Sequence, residues 1–121
     1  MPAANYIKID NKGIEIKLDV IFYSEDGIII AYAPALDLSG YGKDDAEARN
    51  SFEVALHEYI KYTVENKTLD DDLKVHGWTK EAGVIKAQDF SSLLANNKNL
   101  RDVVSHDFRK TSEKVAYPIF S

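Results

Sequence analysis

The chain has 121 residues, 45% of them hydrophobic, carries a net charge of −5 and contains no cysteine. That length and composition predict a single globular domain able to bury a core without a covalent staple. The absence of cysteine excludes disulfides, thiolate metal sites and cysteine nucleophiles. The N-terminus lacks the apolar core of a signal peptide, and the longest apolar run, Ile28 to Leu36, is too short to cross a bilayer. The expectation is a cytoplasmic protein without membrane contact.

From Gly13 the residues alternate. Ile14, Ile16, Leu18, Val20 and Phe22 fall on one side and Glu15, Lys17, Asp19 and Ile21 on the other, the period of a strand. Ser24-Glu25-Asp26-Gly27 is a hairpin signal. Ile28 to Ala33 is apolar at almost every position, which predicts a central strand covered on both faces. Pro34 ends it, and Leu36 to Tyr41 forms a third short strand.

Asp45 to Glu65 is the longest helical signal. Ala48, Phe52, Ala55, Leu56, Tyr59 and Thr63 form its apolar stripe, Asp44 its N-cap, and Glu47 the reciprocal half of a capping box. Gly40-Tyr41-Gly42-Lys43 just before it has the look of a phosphate cradle. Asp44 and Asp45 occupy that helix end and repel phosphate, so the glycines read as a strand-to-helix corner. Thr68 caps a shorter helix, Leu69 to His76, with Gly77 as its left-handed C-terminal residue and Trp78 folding back on the last turn. Residues 79–88 carry at most a short strand near Gly83 to Ala87. A helix starting at Asp89 or Ser91 runs through Leu94, Asn96-Asn97 is a turn, and Asn99 caps a helix through Val104. Val115 to Phe120, around Pro118, makes an edge strand. The fold class is therefore α+β: a three-stranded antiparallel meander, a long helix packed on it, a further strand and short C-terminal helices. Residues 13–78 form the core and 79–121 an extension packed on the same domain.

No catalytic, cofactor or metal residue is expected. His57, His76 and His106 lack ligand partners at metal-binding spacing. Asp70-Asp71-Asp72 suits the first turn of a helix through its dipole alone. Phe22, Tyr32 and Phe52 belong to the core, which leaves Tyr23 and Tyr62 as the exposed aromatic anchors of a partner interface. Segments 89–95 and 99–105 resemble a helix-turn-helix in spacing, but Arg101 and Asp102 make a poor reading face. They are read as covering helices. Residues 1–78 hold 8 of the 15 basic and 15 of the 20 acidic residues, a net of −7, which disfavours nucleic acid and favours a basic partner.

The ordered set Glu25-Asp26-Gly27, Ile28-Ile29-Ile30-Ala31-Tyr32-Ala33-Pro34, Leu38-Ser39-Gly40-Tyr41-Gly42 and Asp44-Asp45-Ala46-Glu47-Ala48 resembles the N-terminal domain of the HicB-like antitoxins. The resemblance covers Val20 to about Tyr62. It implies a βββαβ sheet of partial ribonuclease-H-like topology and a non-catalytic, oligomeric antitoxin of a type II toxin–antitoxin module that blocks a small basic toxin acting on RNA. Many family members add a C-terminal DNA-binding module, and no convincing one follows Trp78 here. The alternatives are a standalone oligomeric domain of this fold with another protein partner, or a metal-dependent nuclease using Asp19, Asp37 and Glu53.

Overall fold

The computed structural model describes residues 5–10, 13–81, 84–88, 90–105 and 107–118. In chain order these form β1 (Tyr6–Asp10), β2 (Gly13–Glu25), β3 (Ile28–Ala33), β4 (Leu38–Gly42), α1 (Asp45–Glu65), α2 (Leu69–Val75), β5 (Thr79–Glu81), β6 (Val84–Lys86), α3 (Phe90–Asn96), α4 (Lys98–Val104) and β7 (Phe108–Pro118). The class is α+β with an antiparallel sheet, as the alternation predicts. The sheet has seven strands, more than the sequence marks, in the order β4-β3-β2-β1-β6-β5, with β7 also pairing β2.

The long strand β2 organises this sheet. One of its edges pairs with β7 from Gly13 to Tyr23. The other edge pairs with β1 from Gly13 to Lys17 and with β3 from Ile21 to Glu25. Two wings, β1-β6-β5 and β3-β4, therefore share one side of β2. Among the described residues, Leu18, Asp19 and Val20 between them have no strand partner on that edge. The Asn5 carboxamide fills the gap: its Oδ1 accepts the buried Asp19 N–H at 2.7 Å, and its backbone carbonyl accepts from Ala87 N. A side chain thus supplies the ladder bond that neither wing reaches, and spares the cost of an orphaned amide.

The two sheet faces bury different partners. Ile14, Ile16, Leu18, Val20 and Phe22 face α1, whose buried stripe is Ala48, Phe52, Leu56, Ile60 and Thr63. Ile60 takes the place expected for Tyr59, which with Ala55 is only half-buried. Asp44 caps α1 by accepting from Glu47 N at 2.8 Å, but the Glu47 carboxylate reaches Lys43 N, one residue before the cap. Gly40 and Gly42 lie in β4, directly beneath this helix. A Cβ on Gly40 would sit 2.1 Å from Phe52 N, so close helix approach, rather than a turn, requires glycine there. The flank of α1 is tied to β7 by Arg49–Glu113 at 2.7 Å and by a bidentate Arg109–Asp45 pair. Both guanidiniums lie over the Phe22 ring, at 5.0 and 5.9 Å from its centroid.

On the opposite face α3 and α4 cover Ile21 and Tyr32 with Leu93, Leu100 and Val103. Asn97 caps α4 by accepting from Leu100 N, where Asn99 was expected. Thr68 makes no side-chain cap on α2, although Gly77 adopts the predicted left-handed conformation, φ +82°, and Trp78 N bonds back to Leu73 O. The strands β1 and β5 were not expected. Strand β7 starts seven residues before the predicted Val115, so the C-terminal segment is woven into the sheet beside its longest strand. Asp89, Gly83, His106, Ile119 and Phe120, to which the sequence assigns roles, lie outside the described residues.

Candidate functional site

The register aligns one row of side chains across four strands on the α3–α4 face: Phe108 of β7, Tyr23 of β2, Ile30 of β3 and Tyr41 of β4. Successive side chains on a strand alternate between faces, so residues opposite one another across the ladder share a face. Asn97, the cap of α4, bonds the Tyr32 hydroxyl in the neighbouring row. Tyr41 is 60% exposed and Phe108 39%, while Ile30 is buried and Tyr23 half-buried. Ile28, 48% exposed, lies one row further out on the same face.

Beside the row opens a cleft of about 770 Å³ between the sheet and α4, lined by Tyr23, Glu25, Tyr32, Asp37, Asp102 and Asp107 among others. Among the described residues that line it there are four carboxylates and no lysine or arginine. Two of its polar groups are fixed. The Tyr32 hydroxyl donates to Asp37 Oδ1 at 2.7 Å and accepts from Asn97 Nδ2 at 3.2 Å, tying α4 to the turn after β3. Asp37 holds a left-handed backbone, φ +55°, which aims its carboxylate at that hydroxyl. Burial first, then the Glu25 and Tyr41 groups, push the Tyr23 hydroxyl above its ordinary pKa. Burial and the bond to Asp37 raise that of Tyr32 further. Both hydroxyls stay protonated at neutral pH. They can therefore hydrogen-bond a ligand or stack under a cation, and they are poorly suited to act as bases.

Tyr59 is raised in the same way, by burial and by its hydrogen bond to Asp72. Folded Tyr32 and Tyr59 therefore hold their protons more tightly than unfolded tyrosine, which titrates near pH 10. The stability this contributes is complete below about pH 10 and is lost as pH rises through the raised folded values. Urea midpoints are expected to fall from about pH 10 upward, and the double variant Tyr32→Phe, Tyr59→Phe is expected to flatten that fall.

The two tyrosines predicted as anchors are not brought together. Tyr23 stands in the aromatic row but is half-buried rather than exposed. Tyr62 is 67% exposed on α1, the helix that covers the opposite face of the sheet. The acids weighed for a nuclease do not meet either. Asp19 faces α3 and pairs with Lys110 at 3.6 Å, Asp37 serves Tyr32, and Glu53 is exposed on α1. Among the described residues no group of three or more His, Asp or Glu could hold a metal ion. His57 packs on the Tyr117 ring at 5.3 Å, and His76 Nδ1 lies 2.9 Å from the Asp72 carbonyl oxygen and 3.5 Å from its carboxylate. The Arg101 guanidinium donates to the Leu94 and Ala95 carbonyls at the end of α3, so it is committed within the α3–α4 pair. Among the described residues no helix is long and apolar enough to cross a membrane.

Sequence reasoning missed Phe108, Tyr41, Asp102 and Asp107 as members of one surface. The only signal available was period-two alternation in β4 and β7, which requires the register to become a row. Compared with known proteins, the chain matches no family model, no curated protein and no solved structure.

Proposed function

We propose that this chain is a non-catalytic binding module of the antitoxin type, which covers and neutralises a small basic protein that acts on RNA. The observation that carries the reading is the aromatic row Phe108–Tyr23–Ile30–Tyr41 beside a cleft with Glu25, Asp37, Asp102 and Asp107 on its walls. Aromatic groups within an acidic rim suit the lysine and arginine side chains of a partner. Rings supply apolar area and cation–π contacts, and the carboxylates supply steering and pairing. The net of −7 over residues 1–78 extends the same field. The order β2-β3-β4-α1, with Gly40 and Gly42 under the helix, is compatible with the HicB-like reading of the sequence.

The test uses the full chain, tagged, to capture partners from its source cell at about 0.15 M salt. A captured basic protein is identified by mass and assayed for RNA cleavage with and without this chain. Stoichiometric inhibition is expected. Tyr41→Ala and Glu25→Lys, both at exposed positions, are each expected to weaken binding by on the order of 30-fold. Tyr62→Ala, on the opposite face, is expected to leave it unchanged. A captured protein with no inhibited activity, or one equally sensitive to Tyr62→Ala, would refute the reading.

A further inference from the structure

Among the described residues β7 pairs with no strand other than β2, so no second strand covers its outer edge from Phe108 to Lys114. The edge is also continuous, because its register with β2 contains no bulge. Which groups it presents follows from β2. The Asp19 and Gly13 N–H groups point to the edge of β2 opposite β7, toward Asn5 and Asp10. Alternation turns the even-numbered residues of β2 toward β7, where they meet odd-numbered partners. The even-numbered residues of β7, Phe108, Lys110, Ser112 and Lys114, therefore direct their N–H and C=O groups outward. Pro118 falls on the same outward set, and its missing N–H closes the edge at that end.

Edge strands are commonly protected by lysines. Here Lys110 and Lys114 are turned back onto β2, to Asp19 at 3.6 Å and Glu15 at 3.5 Å. The strand carries Arg109, Lys110 and Lys114 against one acid, Glu113, which makes it a poor partner for the basic protein proposed above. It fits itself. In a two-fold antiparallel pairing one residue faces its own copy, and cross-strand neighbours must share a face. Centring on Ser112 sets Lys110 against Lys114 of the partner subunit. Centring on Lys110, Glu113 or Lys114 sets like charges on the axis. Centring on Val115 places Pro118 of the partner subunit where Ser112 needs a donor. Centring on Thr111 avoids all of these. Arg109 then faces Glu113 of the partner subunit, Lys110 faces the partner's Ser112, and Phe108 faces the partner's Lys114. Since Arg109 already holds Asp45 and Glu113 already holds Arg49, the pairing extends these into a chain of alternating charges across the two copies.

We infer that the outer edge of β7 pairs with β7 of a second copy of this chain, antiparallel and centred on Thr111, to make one continuous sheet. The two-fold axis stands perpendicular to the sheet, so both aromatic rows emerge on the same face. The interface does not depend on the function proposed for that face.

The absence of native cysteine makes the test direct. Thr111 opposite its own copy is a non-hydrogen-bonded pair, with Cα atoms about 4.5 Å apart, within disulfide reach. The full chain is expected to sediment as a dimer at about 100 µM. Single cysteines placed in turn from 110 to 114 are expected to cross-link under mild oxidation most completely as Thr111→Cys. Ser112→Pro removes an outward donor and no bond to β2, so it is expected to give a monomer with unchanged circular dichroism. A monomeric wild-type chain overturns the proposal. So does a dimer whose cross-linking peaks at any other position, and should Ser112→Pro unfold the chain, the cysteine scan still decides.

Discussion

Gly40→Ala is expected to destabilise the fold by about 3 kcal/mol, and Gly40→Val by more. A single methyl group at this position would lie 2.1 Å from Phe52 N, 2.6 Å from Phe52 Cα and 2.7 Å from the Ala48 carbonyl oxygen. These are backbone atoms of α1, so no rotamer change relieves the clash. The helix itself must lift from β4, and lifting it opens the layer that buries Phe52, Leu56 and Ile60. Overpacking in most cores costs about 1–3 kcal/mol because side chains share the strain, and this site allows no such sharing. For a chain of this size the melting temperature should fall by roughly 10 °C. Gly27→Ala is the control. Nothing lies within 4 Å of its Cβ, and its cost comes only from a backbone at φ +81°, so a loss of about 1 kcal/mol is expected. Urea unfolding followed by Trp78 fluorescence measures both. An equal effect of the two substitutions would show that backbone conformation, and not helix approach, is what Gly40 supplies.

Trp78→Ala is expected to cost about 4 kcal/mol. Trp78 is buried beside Leu73 and Ile85, at the seam where α2 meets the β5–β6 wing. Its Nε1–H donates at 2.7 Å to the carbonyl of Ala35, in the turn after β3. One side chain thus joins the two wings that hang from β2, across 43 residues of sequence. Removing it leaves a cavity and an unpaired buried carbonyl, and both penalties fall on the same seam. Trp78→Phe separates them. The ring still fills most of the space, so only the orphaned acceptor should register, at about 1–3 kcal/mol. Circular dichroism follows the unfolding of both variants, because the fluorophore is gone. If Trp78→Phe proved as damaging as Trp78→Ala, the hydrogen bond to Ala35 would outweigh the packing.

The elements legible in the sequence are those whose signals are local. Asp44, the acidic first turn and the spacing of Ala48, Phe52, Leu56 and Thr63 specify α1 without reference to anything else. Alternation specifies β2, and Asp26-Gly27 specifies its turn into β3, with φ of +53° and +81° at those two residues. The roll of α1 was less legible. Tyr59 and Ile60 are adjacent, and packing against the sheet decides that Ile60 goes in while Tyr59 turns to Asp72. The short strands were not legible at all. Tyr6–Asp10 carries an alternation of only five residues and becomes a strand because β2 and β6 pair with its two edges. The polar run Arg109–Lys114 has no apolar pattern to mark it, and its strand state comes from the β2 ladder and from Asp45, Arg49, Asp19 and Glu15.

The candidate site divides the same way. Composition placed negative charge on the first two-thirds of the chain and named Tyr23, because net charge and alternation are sums over neighbours in sequence. The sheet decided that Phe108, Tyr23, Ile30 and Tyr41 stand in one row, since that requires three registers between strands up to 85 residues apart. It also set Tyr62 on the far side from Tyr23. By itself the sequence determined an α+β class, the β2-β3-β4-α1 succession and an acidic body. Only the tertiary structure decided which side chains share a surface and which strand edges no other described strand covers, because register and face are properties of pairs of strands and exist in neither strand alone.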